Sequence, residues 1–338
     1  MSRTHTLFKG AKRLRAADLV CLAGMIAAAG LPHVTGNILA QSIGSHVMIG
    51  LCGALAVYLM LRLDLLNFAV PGFMAIGGYA AAIAAQNDIT DLFALLGIAF
   101  IVPLACAIPL GIITLRLKGV YFVLVTYLLT EIVQLVIVET PGLTGGTNGL
   151  IGFPPAEFLG MPLVSATAVY YICYVAALAA VLVTIAGTTC FGDIFDSLAY
   201  NDTLAQSLGL RTSGYKAAAF ALSAGVAGLG GFGLVSLLIT AHPLSFTSAS
   251  SVHYIAYVLI GGVASTLGAA LGTVFLVIAL TQFSWSGEYS LGLFGVLLIL
   301  AVLFLRGGIS GKLEKLAACL RSTAVRRPAY HAGKGDAA

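Results

Sequence analysis

Charged residues are scarce in this sequence: Asp, Glu, Lys and Arg make up 9% of its 338 residues, whereas an ordinary soluble domain carries about 25%. A soluble globule of this length needs a polar surface that so few charges cannot supply. Disordered chains and nucleic-acid-binding domains depend on charge even more. The composition therefore excludes these three classes and indicates a polytopic membrane protein.

Motifs for catalysis and metal binding are also missing. The sequence has no Cys-x-x-Cys pair, no His-Glu-x-x-His and no Gly-x-Ser-x-Gly. Segment 307–312 imitates a phosphate-binding loop, but Arg306 stands where the Walker pattern needs Gly, and Leu313 where it needs a hydroxyl. The sequence thus predicts a chain that is not an enzyme and that binds no cofactor, metal or nucleotide of its own.

Apolar residues, by contrast, make up 59% of the chain and form about ten runs that could cross a bilayer. Because lipid cannot hydrogen-bond free backbone groups, these runs must be helices, and the predicted fold is an all-α polytopic membrane bundle. The eighth run is too short for an upright span, which predicts a broken or re-entrant segment. The predicted segments are 19–40, 43–61, 67–86, 92–114, 119–138, 163–186, 215–239, 252–264, 266–284 and 289–305.

Positive charge sets the predicted orientation. Lys and Arg cluster in both tails and in the connections after the second, fourth and sixth segments, and by the positive-inside rule these parts are cytoplasmic. We therefore expect a cytoplasmic segment 1–18, a transmembrane domain 19–305 and a cytoplasmic tail 306–338. The connections without Lys or Arg are 87–91, 139–162, 240–251 and 285–288.

Two connections are long. Residues 139–162 are rich in Pro and Gly, which predicts an ordered outer loop. Residues 187–214 are predicted to be cytoplasmic and to contain a short amphipathic helix within 193–210, capped by Asn201 or Asp202 and ended by Gly209 in a left-handed conformation. One alternative is a helix on the lipid surface, but that type carries Lys or Arg, whereas 193–208 contains none. An acidic face favours a basic protein partner.

Glycine interrupts some of the apolar segments. Gly72, Gly77 and Gly78, together with Pro71, break the third segment, and Gly261 to Gly272 break the eighth and ninth. Paired broken segments are typical of transport paths, so these positions are candidates for one. The alternative is that small residues only let helices pack closely in lipid.

The fifth segment carries a polar stripe. Glu131 lies midway along it, Gln134 follows three residues later on the same face, and Thr126 and Thr130 are close by. A carboxylate at this depth costs on the order of 3 kcal/mol, so the stripe is expected to face a bundle interior or a path. A structural hydrogen-bonding role and a path role are both consistent with the pattern. For Asn67, near the inner end of the third segment, helix capping is the simpler interpretation.

Several stretches, in order along the chain, resemble the inner-membrane permeases of branched-chain amino acid ABC importers, particularly the M-type subunit. The glycine-rich run 65–79 and the run from Leu115 through Glu131 are similar to two motifs of that family. The matching stretches read LLNFAVPGFMAIGGY at 65–79, LRLKGVYF at 115–122, LTGGTNGL at 143–150, AQSLG at 205–209 followed by Tyr215-Lys216, and GG at 261–262 with GAALG at 268–272.

The resemblance implies a bacterial inner-membrane permease subunit for aliphatic amino acids. The implied partners are a second, H-type permease, two cytoplasmic ATPases that use ATP, and a periplasmic binding protein. The implied path residues are Glu131, Gln134, Gly72, Gly77 and Gly78. The implied ATPase contacts are Asp196, Asn201, Asp202, Ala205, Leu208 and Gly209, and the implied binding-protein contacts are Thr144, Gly145, Gly146, Thr147 and Asn148.

Alternatives remain open at this point. Related permeases carry urea, short amides or other amino acids, and the partner permease could be a second copy of this chain. A different class is a stand-alone ion-coupled secondary transporter with Glu131 as its proton carrier. Uptake by the chain alone under an ion gradient would favour that class.

Overall fold

A computed structural model describes residues 16–207, 209–263 and 265–283, together with Gly292 and Gly295. This part of the chain is mainly helical. The helices are α1 (Ala16–Ala29), α2 (Leu31–Thr35), α3 (Ile38–Leu61), α4 (Val70–Gln86), α5 (Leu92–Thr114), α6 (Val120–Glu139), α7 (Pro141–Thr144), α8 (Ala166–Tyr200), α9 (Asp202–Ser207), α10 (Thr212–Leu238), α11 (Ser250–Gly261) and α12 (Thr266–Phe283). Short 3-10 turns lie at Gly146–Asn148 and Pro243–Phe246.

Several helices begin where a side chain satisfies a free backbone N–H. Asn37 accepts a hydrogen bond from the Leu39 amide at the start of α3. Asp91 does the same for Ala94 at α5, and Ser165 for Ala168 at α8. These caps fix the ends of long apolar helices that have little amphipathic pattern of their own.

Five described helices are long and apolar enough to cross a membrane: α3, α5, α6, α8 and α10. A sixth candidate is the pair Pro243–Gly261 and Thr266–Gln282, bent by 118° between its parts, as expected for the predicted broken or re-entrant segment. The helix α4 is a shorter apolar helix. The count of ten spans and the cytoplasmic placement of both termini stay predictions. The tenth segment, 289–305, and the tail 306–338 lie outside the described residues, apart from Gly292 and Gly295.

The first predicted segment was wrong in its extent. Instead of one helix over 19–40, the chain forms α1 and α2 and then starts α3 at Ile38. The break has a local cause, because α2 has Pro32 in its first turn and ends at Gly36 in a left-handed conformation, with φ +55°.

The helix α10 lies at the centre of the bundle and packs against α3, α4, α5 and α8. Glycine makes this possible. Gly228 faces the carbonyl of Ala99 in α5, and Gly231 faces the carbonyl of Met74 in α4, so a side chain at either glycine would occupy backbone space. Small residues of this kind let membrane helices approach closely.

The connection predicted at 187–214 is more helical than expected. Its first fourteen residues continue α8 to Tyr200, so Asp196 lies on α8 and not on a separate short helix. The chain breaks at Asn201, and α9 follows. The predicted cap is confirmed, since Asn201 Oδ1 accepts a hydrogen bond from the Leu204 amide at 3.1 Å. The predicted left-handed glycine is confirmed as well, because Gly209 has φ +86°.

The connection 139–162 is ordered and contains no span, as predicted, and its placement on the outer side stays a prediction. After α7 and the 3-10 turn, β1 (Leu150–Ile151) pairs antiparallel with β4 (Thr240–Ala241). A hairpin of β2 (Glu157–Phe158) and β3 (Met161–Pro162) follows. The β1–β4 pair joins this connection to the one that leads into α11.

Candidate translocation site

Three polar side chains of α6 bind the backbone of two interrupted segments. Thr126, Thr130 and Gln134, spaced four residues apart and here called the α6 stripe, lie on one face of the helix. Thr126 Oγ1 accepts a hydrogen bond from the Phe68 amide at 3.2 Å, and Thr130 Oγ1 donates one to the Phe68 carbonyl at 3.1 Å. Gln134 Nε2 donates to the Phe246 carbonyl at 2.6 Å. One helix therefore holds both segments.

The first interrupted segment is residues 62–69, here called the first break, between α3 and α4. It turns at Asp64, which has φ +57°. Asn67 Oδ1 accepts a hydrogen bond from the Ala69 amide at 2.9 Å, but Ala69 is itself the N-cap of α4 and has no side-chain cap, so the predicted capping by Asn67 was wrong. Asn67 is fully buried, and its Nδ2 has no hydrogen-bond partner among the described residues. The first break is thus closely packed, with one buried donor left over.

The second interrupted segment is residues 240–249, here called the second break, which leads into α11. It contains β4 and the 3-10 turn whose last residue, Phe246, is bound by Gln134. Ser251, in the first turn of α11, donates its hydroxyl to the Phe68 carbonyl at 2.7 Å. The Phe68 carbonyl therefore accepts two hydroxyl hydrogen bonds, one from α6 and one from α11, so the first break meets the helix that follows the second break.

The position of the α6 stripe along its helix places this junction deep in the protein. Thr126 and Gln134 lie six and fourteen residues after the start of α6, about 9 and 21 Å along its axis. Since α6 is long and apolar enough to span a membrane, both breaks reach the depth of the apolar interior. Irregular backbone is tolerated there only if it is buried in protein or lines a water-filled cavity. The stripe provides the required partners.

Glu131 lies beside the stripe but faces outward. It is exposed on a side of α6 that also exposes Tyr127, Leu128 and Leu135. A carboxylate facing lipid at mid-helix would cost on the order of 3 kcal/mol. This surface of α6, here called the Glu131 face, therefore requires a protein or aqueous neighbour.

The three glycines predicted for the path make helix contacts. A side chain at Gly72 would meet Thr130 Cα at 3.1 Å. Gly77 faces Gly228 and the Ala99 carbonyl, and a Cβ added at Gly78 would lie 2.9 Å from the Gly231 carbonyl oxygen of α10. Close packing, the alternative interpretation, thus has a contact for each glycine. A direct role in a path stays a prediction.

On the side of the bundle that carries α9, a carboxylate joins three elements. Asp202 Oδ2 lies 2.8 Å from Lys216 Nζ of α10 and 3.5 Å from Lys118 Nζ, just before α6. Partial burial alone would raise the pKa of the Asp202 carboxyl. The hydrogen bond and charge of Lys216, and then the charge of Lys118, outweigh this effect and hold that pKa below its ordinary value. Asp202 is therefore a charged anchor for α9.

The other predicted ATPase contacts surround this anchor. Asn201 and Gly209 delimit α9, and Ala205 is buried on its inner side. Asp196 pairs with Arg62 at the end of α3. Leu208 lies outside the described residues.

The predicted binding-protein contacts divide into two groups. Thr144 is buried, donates its hydroxyl to the Thr140 carbonyl at 2.8 Å and accepts from the Gly146 amide at 3.3 Å. Gly145 has φ +73°, which only glycine adopts readily. Thr147 and Asn148 are exposed. Thr144, Gly145 and Gly146 thus shape the turn, and Thr147 and Asn148 present polar side chains.

Some residues of these sites were not predicted. Ser251 and Phe68 act through a hydroxyl and a backbone carbonyl, which leave no pattern in the sequence. Arg62, Lys118 and Lys216 follow the second, fourth and sixth predicted segments as positive charges, and Lys118 and Lys216 also lie in stretches that resemble the family, but neither pattern predicts their ion pairs. The sequence offered one hint of these ion pairs: the predicted connection 187–214 carries acidic residues such as Asp196, which could pair with the positive charges of other connections.

The fold and this junction are those of a helical membrane protein with interrupted segments, and comparison with known proteins identifies its family. A family model described as "Branched-chain amino acid transport system / permease component" matches residues 38–302, so the chain belongs to that family. It is 28% identical, over 291 residues, to the high-affinity branched-chain amino acid transport system permease protein LivM of Salmonella typhimurium. The identity to the Escherichia coli protein of the same name is 27% over 291 residues. Each match covers 79% of this chain and 66% of the relative. No solved structure matches the chain.

Proposed function

We propose that this chain is the permease subunit of an ABC importer in the bacterial inner membrane, and that it forms the translocation path for branched-chain amino acids. The observation that carries this proposal is the family match over 38–302, because that range contains the α6 stripe and both breaks. The names of the relatives support the substrate class.

The Glu131 face is the proposed contact with the second permease subunit, of H-type. A partner there would shield the apolar side chains of α6 from lipid, and an aqueous path between the two subunits would solvate the Glu131 carboxylate. Gln134 lies one turn further along α6, at the second break. A small zwitterionic substrate suits a path of this kind, since a carboxylate can meet its ammonium group.

The first and second breaks are the proposed moving parts of the path. Segments without continuous helical hydrogen bonds can change conformation without unwinding a helix. Alternating access in transporters commonly uses discontinuous helices near the bilayer midplane. Gly72, Gly77 and Gly78 would keep α4 close to α6 and α10 while the breaks rearrange.

Two cytoplasmic ATPases are proposed to drive the importer, and this chain is proposed to meet an ATPase at α9. Asp196, Asn201, Asp202, Ala205, Leu208 and Gly209 form or frame this surface. Because Asp202 is anchored by Lys216, charge reversal at Asp202 should detach α9 and uncouple ATP hydrolysis from uptake. A bulky residue at Gly209 should do the same through its left-handed backbone. A periplasmic binding protein is proposed to contact Thr147 and Asn148.

The test is ATP-driven uptake by the assembled complex. The chain is co-expressed with its candidate partners, purified as a complex and reconstituted in proteoliposomes with ATP on the ATPase side. We expect leucine to be taken up only with ATP, and Glu131→Gln to lower uptake several-fold at equal protein incorporation. Glu139→Gln, at the exposed end of the same helix, is the matched control and should leave uptake unchanged.

Three results would contradict parts of this proposal. Uptake of urea or short amides in place of leucine would contradict the proposed substrate class, branched-chain amino acids. Uptake by the chain alone under a proton gradient, abolished by Glu131→Gln, would establish the secondary transporter. A fully active Glu131→Gln complex would remove Glu131 from the path.

A further inference from the structure

The ion pair between Arg62 and Asp196 connects the end of α8, near the proposed ATPase contact, to the first break, a proposed moving part of the path. Asp196 lies near the end of α8, one turn before the break that leads to α9. Arg62 caps the end of α3 and begins the first break. The pair therefore joins the proposed ATPase-binding end of the chain to the proposed moving part of the path.

The two partners differ in burial. The Arg62 side chain is 5% exposed, whereas that of Asp196 is 52% exposed. A guanidinium that is removed from water in this way needs a counter-charge, and losing the counter-charge leaves it uncompensated. Gly192, one turn earlier on α8, lies next to the guanidinium: a Cβ there would be in ordinary contact with Arg62 Nη1 at 3.6 Å, so a larger side chain would press on Arg62.

The first break is short, so a shift at one end reaches the other. Leu63 and Leu65 both donate backbone hydrogen bonds to the Met60 carbonyl, which ties the start of the break to α3. Phe68 follows six residues after Arg62 and is the point where α6 and α11 bind the segment. A displacement of Arg62 thus acts directly on the junction.

A second connection from α9 reaches the same junction by another route. Asp202 pairs with Lys118, which precedes α6, and α6 carries Thr126 and Thr130. This second connection is weaker, because Lys118 is 77% exposed and its pair is 3.5 Å long. Exposed pairs of this kind contribute little. The Arg62–Asp196 pair is therefore the stronger of the two.

From this arrangement we propose that Arg62 is a positioning residue that transmits movement of α8 and α9 to the first break through its ion pair with Asp196. The inference rests on the proposed function, since it requires an ATPase at α9 and a path at the junction. It assigns the transmitting contact to a pair of side chains inside this subunit, and not only to the surface that meets the ATPase.

The test uses the exposed partner, and each variant is first checked for equal incorporation into the complex, because Asp196→Asn removes the counter-charge of the buried Arg62 side chain. Asp196→Asn and Asp196→Glu are compared with wild type as the full complex in proteoliposomes. The matched control is Asp193→Asn, an exposed carboxylate on the same helix that makes no ion pair among the described residues. The measured quantity is the amount of leucine taken up per ATP hydrolysed.

We expect Asp196→Asn to lower this ratio by about fivefold or more, the lower end of typical coupling between distant sites. Asp196→Glu, which keeps the charge, should restore most of it, and Asp193→Asn should match wild type. Gly192→Leu, which crowds Arg62 without changing a charge, should lower the ratio in the same direction.

The inference is overturned if Asp196→Asn keeps the wild-type ratio, or if uptake and hydrolysis fall together so that the ratio does not change. It is also overturned if Asp196→Glu is as defective as Asp196→Asn. Failure of the proposed function looks different, because the wild-type complex would then show no ATP-driven uptake at all.

Discussion

Two joints in this protein are held together by opposite means. Between α4 and α10, glycines bring backbone against backbone, as at Gly231 and the Met74 carbonyl. At the Phe68 junction, side-chain hydroxyls from two helices bind one carbonyl. The first joint depends on the absence of side-chain volume and the second on the presence of side-chain donors.

The difference shows which parts of the bundle are suited to move. A backbone contact without intervening side chains cannot shift without opening a gap or a clash, because protein interiors are densely packed. A carbonyl with two donors can lose one and remain satisfied. The α4–α10 contact is therefore suited to a rigid body and the Phe68 junction to a part that rearranges.

The comparison is tested most strongly at Gly231. Gly231→Leu would place a side chain where the Met74 carbonyl lies, and we expect it to destabilise the protein by about 3 kcal/mol or prevent folding. The measurement is the thermal unfolding midpoint in detergent. Gly97→Ala is the control, because a Cβ at Gly97 in α5 meets no atom within 4 Å, and its effect should stay within about 1 kcal/mol. Equal thermal unfolding midpoints for Gly231→Leu and wild type would show that the α4–α10 contact does not depend on the absence of a side chain at Gly231.

A smaller effect is expected at the Phe68 junction, where the donors can replace each other. Thr130→Val or Ser251→Ala alone should cost about 0.6 kcal/mol, since the other hydroxyl still binds the Phe68 carbonyl. The double variant leaves that carbonyl unsatisfied and should cost about 1–3 kcal/mol beyond the sum. A double-mutant cycle of unfolding free energies measures this term. If the unfolding free-energy changes of the two single variants simply add, the two hydroxyls do not replace each other as donors to the Phe68 carbonyl.

The smallest effect concerns pH and the anchor of α9. Because the pKa of Asp202 in the folded protein lies below its ordinary value of 3.8, its ion pairs stabilise the attachment of α9 at all higher pH values. That stabilisation is lost as the pH falls through the lowered pKa. A spin label on Tyr200→Cys should thus report constant mobility from neutral pH down to about 4 and increased mobility below it.

Asp202→Asn provides the control for this titration. The same label should then show high mobility at every pH, since no carboxylate remains to pair with Lys216. A step in mobility that survives this substitution would assign the titration to another group.

Helix positions were predictable where the signal is local. The segment predicted at 92–114 coincides with α5, because Asp91 caps its start and a long apolar run follows. The Asn201 cap and the Gly209 turn were predictable for the same reason. The break between α1 and α3 was missed because its signals, Pro32, Gly36 and Asn37, lie inside a stretch that was assigned as one apolar segment over 19–40.

The far end of α8 was missed for the opposite reason. Polar residues begin at Thr188, which suggests a loop, yet the helix continues to Tyr200. Several of these side chains return hydrogen bonds to their own helix, as Thr188 does to the Ile185 carbonyl and Ser197 to the Asp193 carbonyl. Backbone pairing within a helix needs no apolar surroundings, so the end of hydrophobicity does not end the helix.

The sequence predicted the polar side chains of the site but not their hydrogen-bond partners. The spacing of Thr126, Thr130 and Gln134 pointed to a polar face of α6. Their partners are the backbone of Phe68 and Phe246, and a carbonyl has no signature in a sequence. The interruption predicted at Gly72, Gly77 and Gly78 was wrong, because α4 runs as a continuous helix from Val70 to Gln86 and the first break lies before it. The outward direction of Glu131 depends on how α6 is rotated in the bundle, which its nearly uniform apolar sequence does not determine.

The length of α8 has a mechanical consequence. Its 35 residues extend about 52 Å, whereas the hydrocarbon core of a bilayer is about 30 Å thick. Its buried residues are most frequent in the first two thirds, but Phe195 and Leu198 remain buried in the final turns. The length in excess of the bilayer is therefore packed against other parts of this chain and is not a free arm. Any displacement of that end must carry its packed neighbours with it.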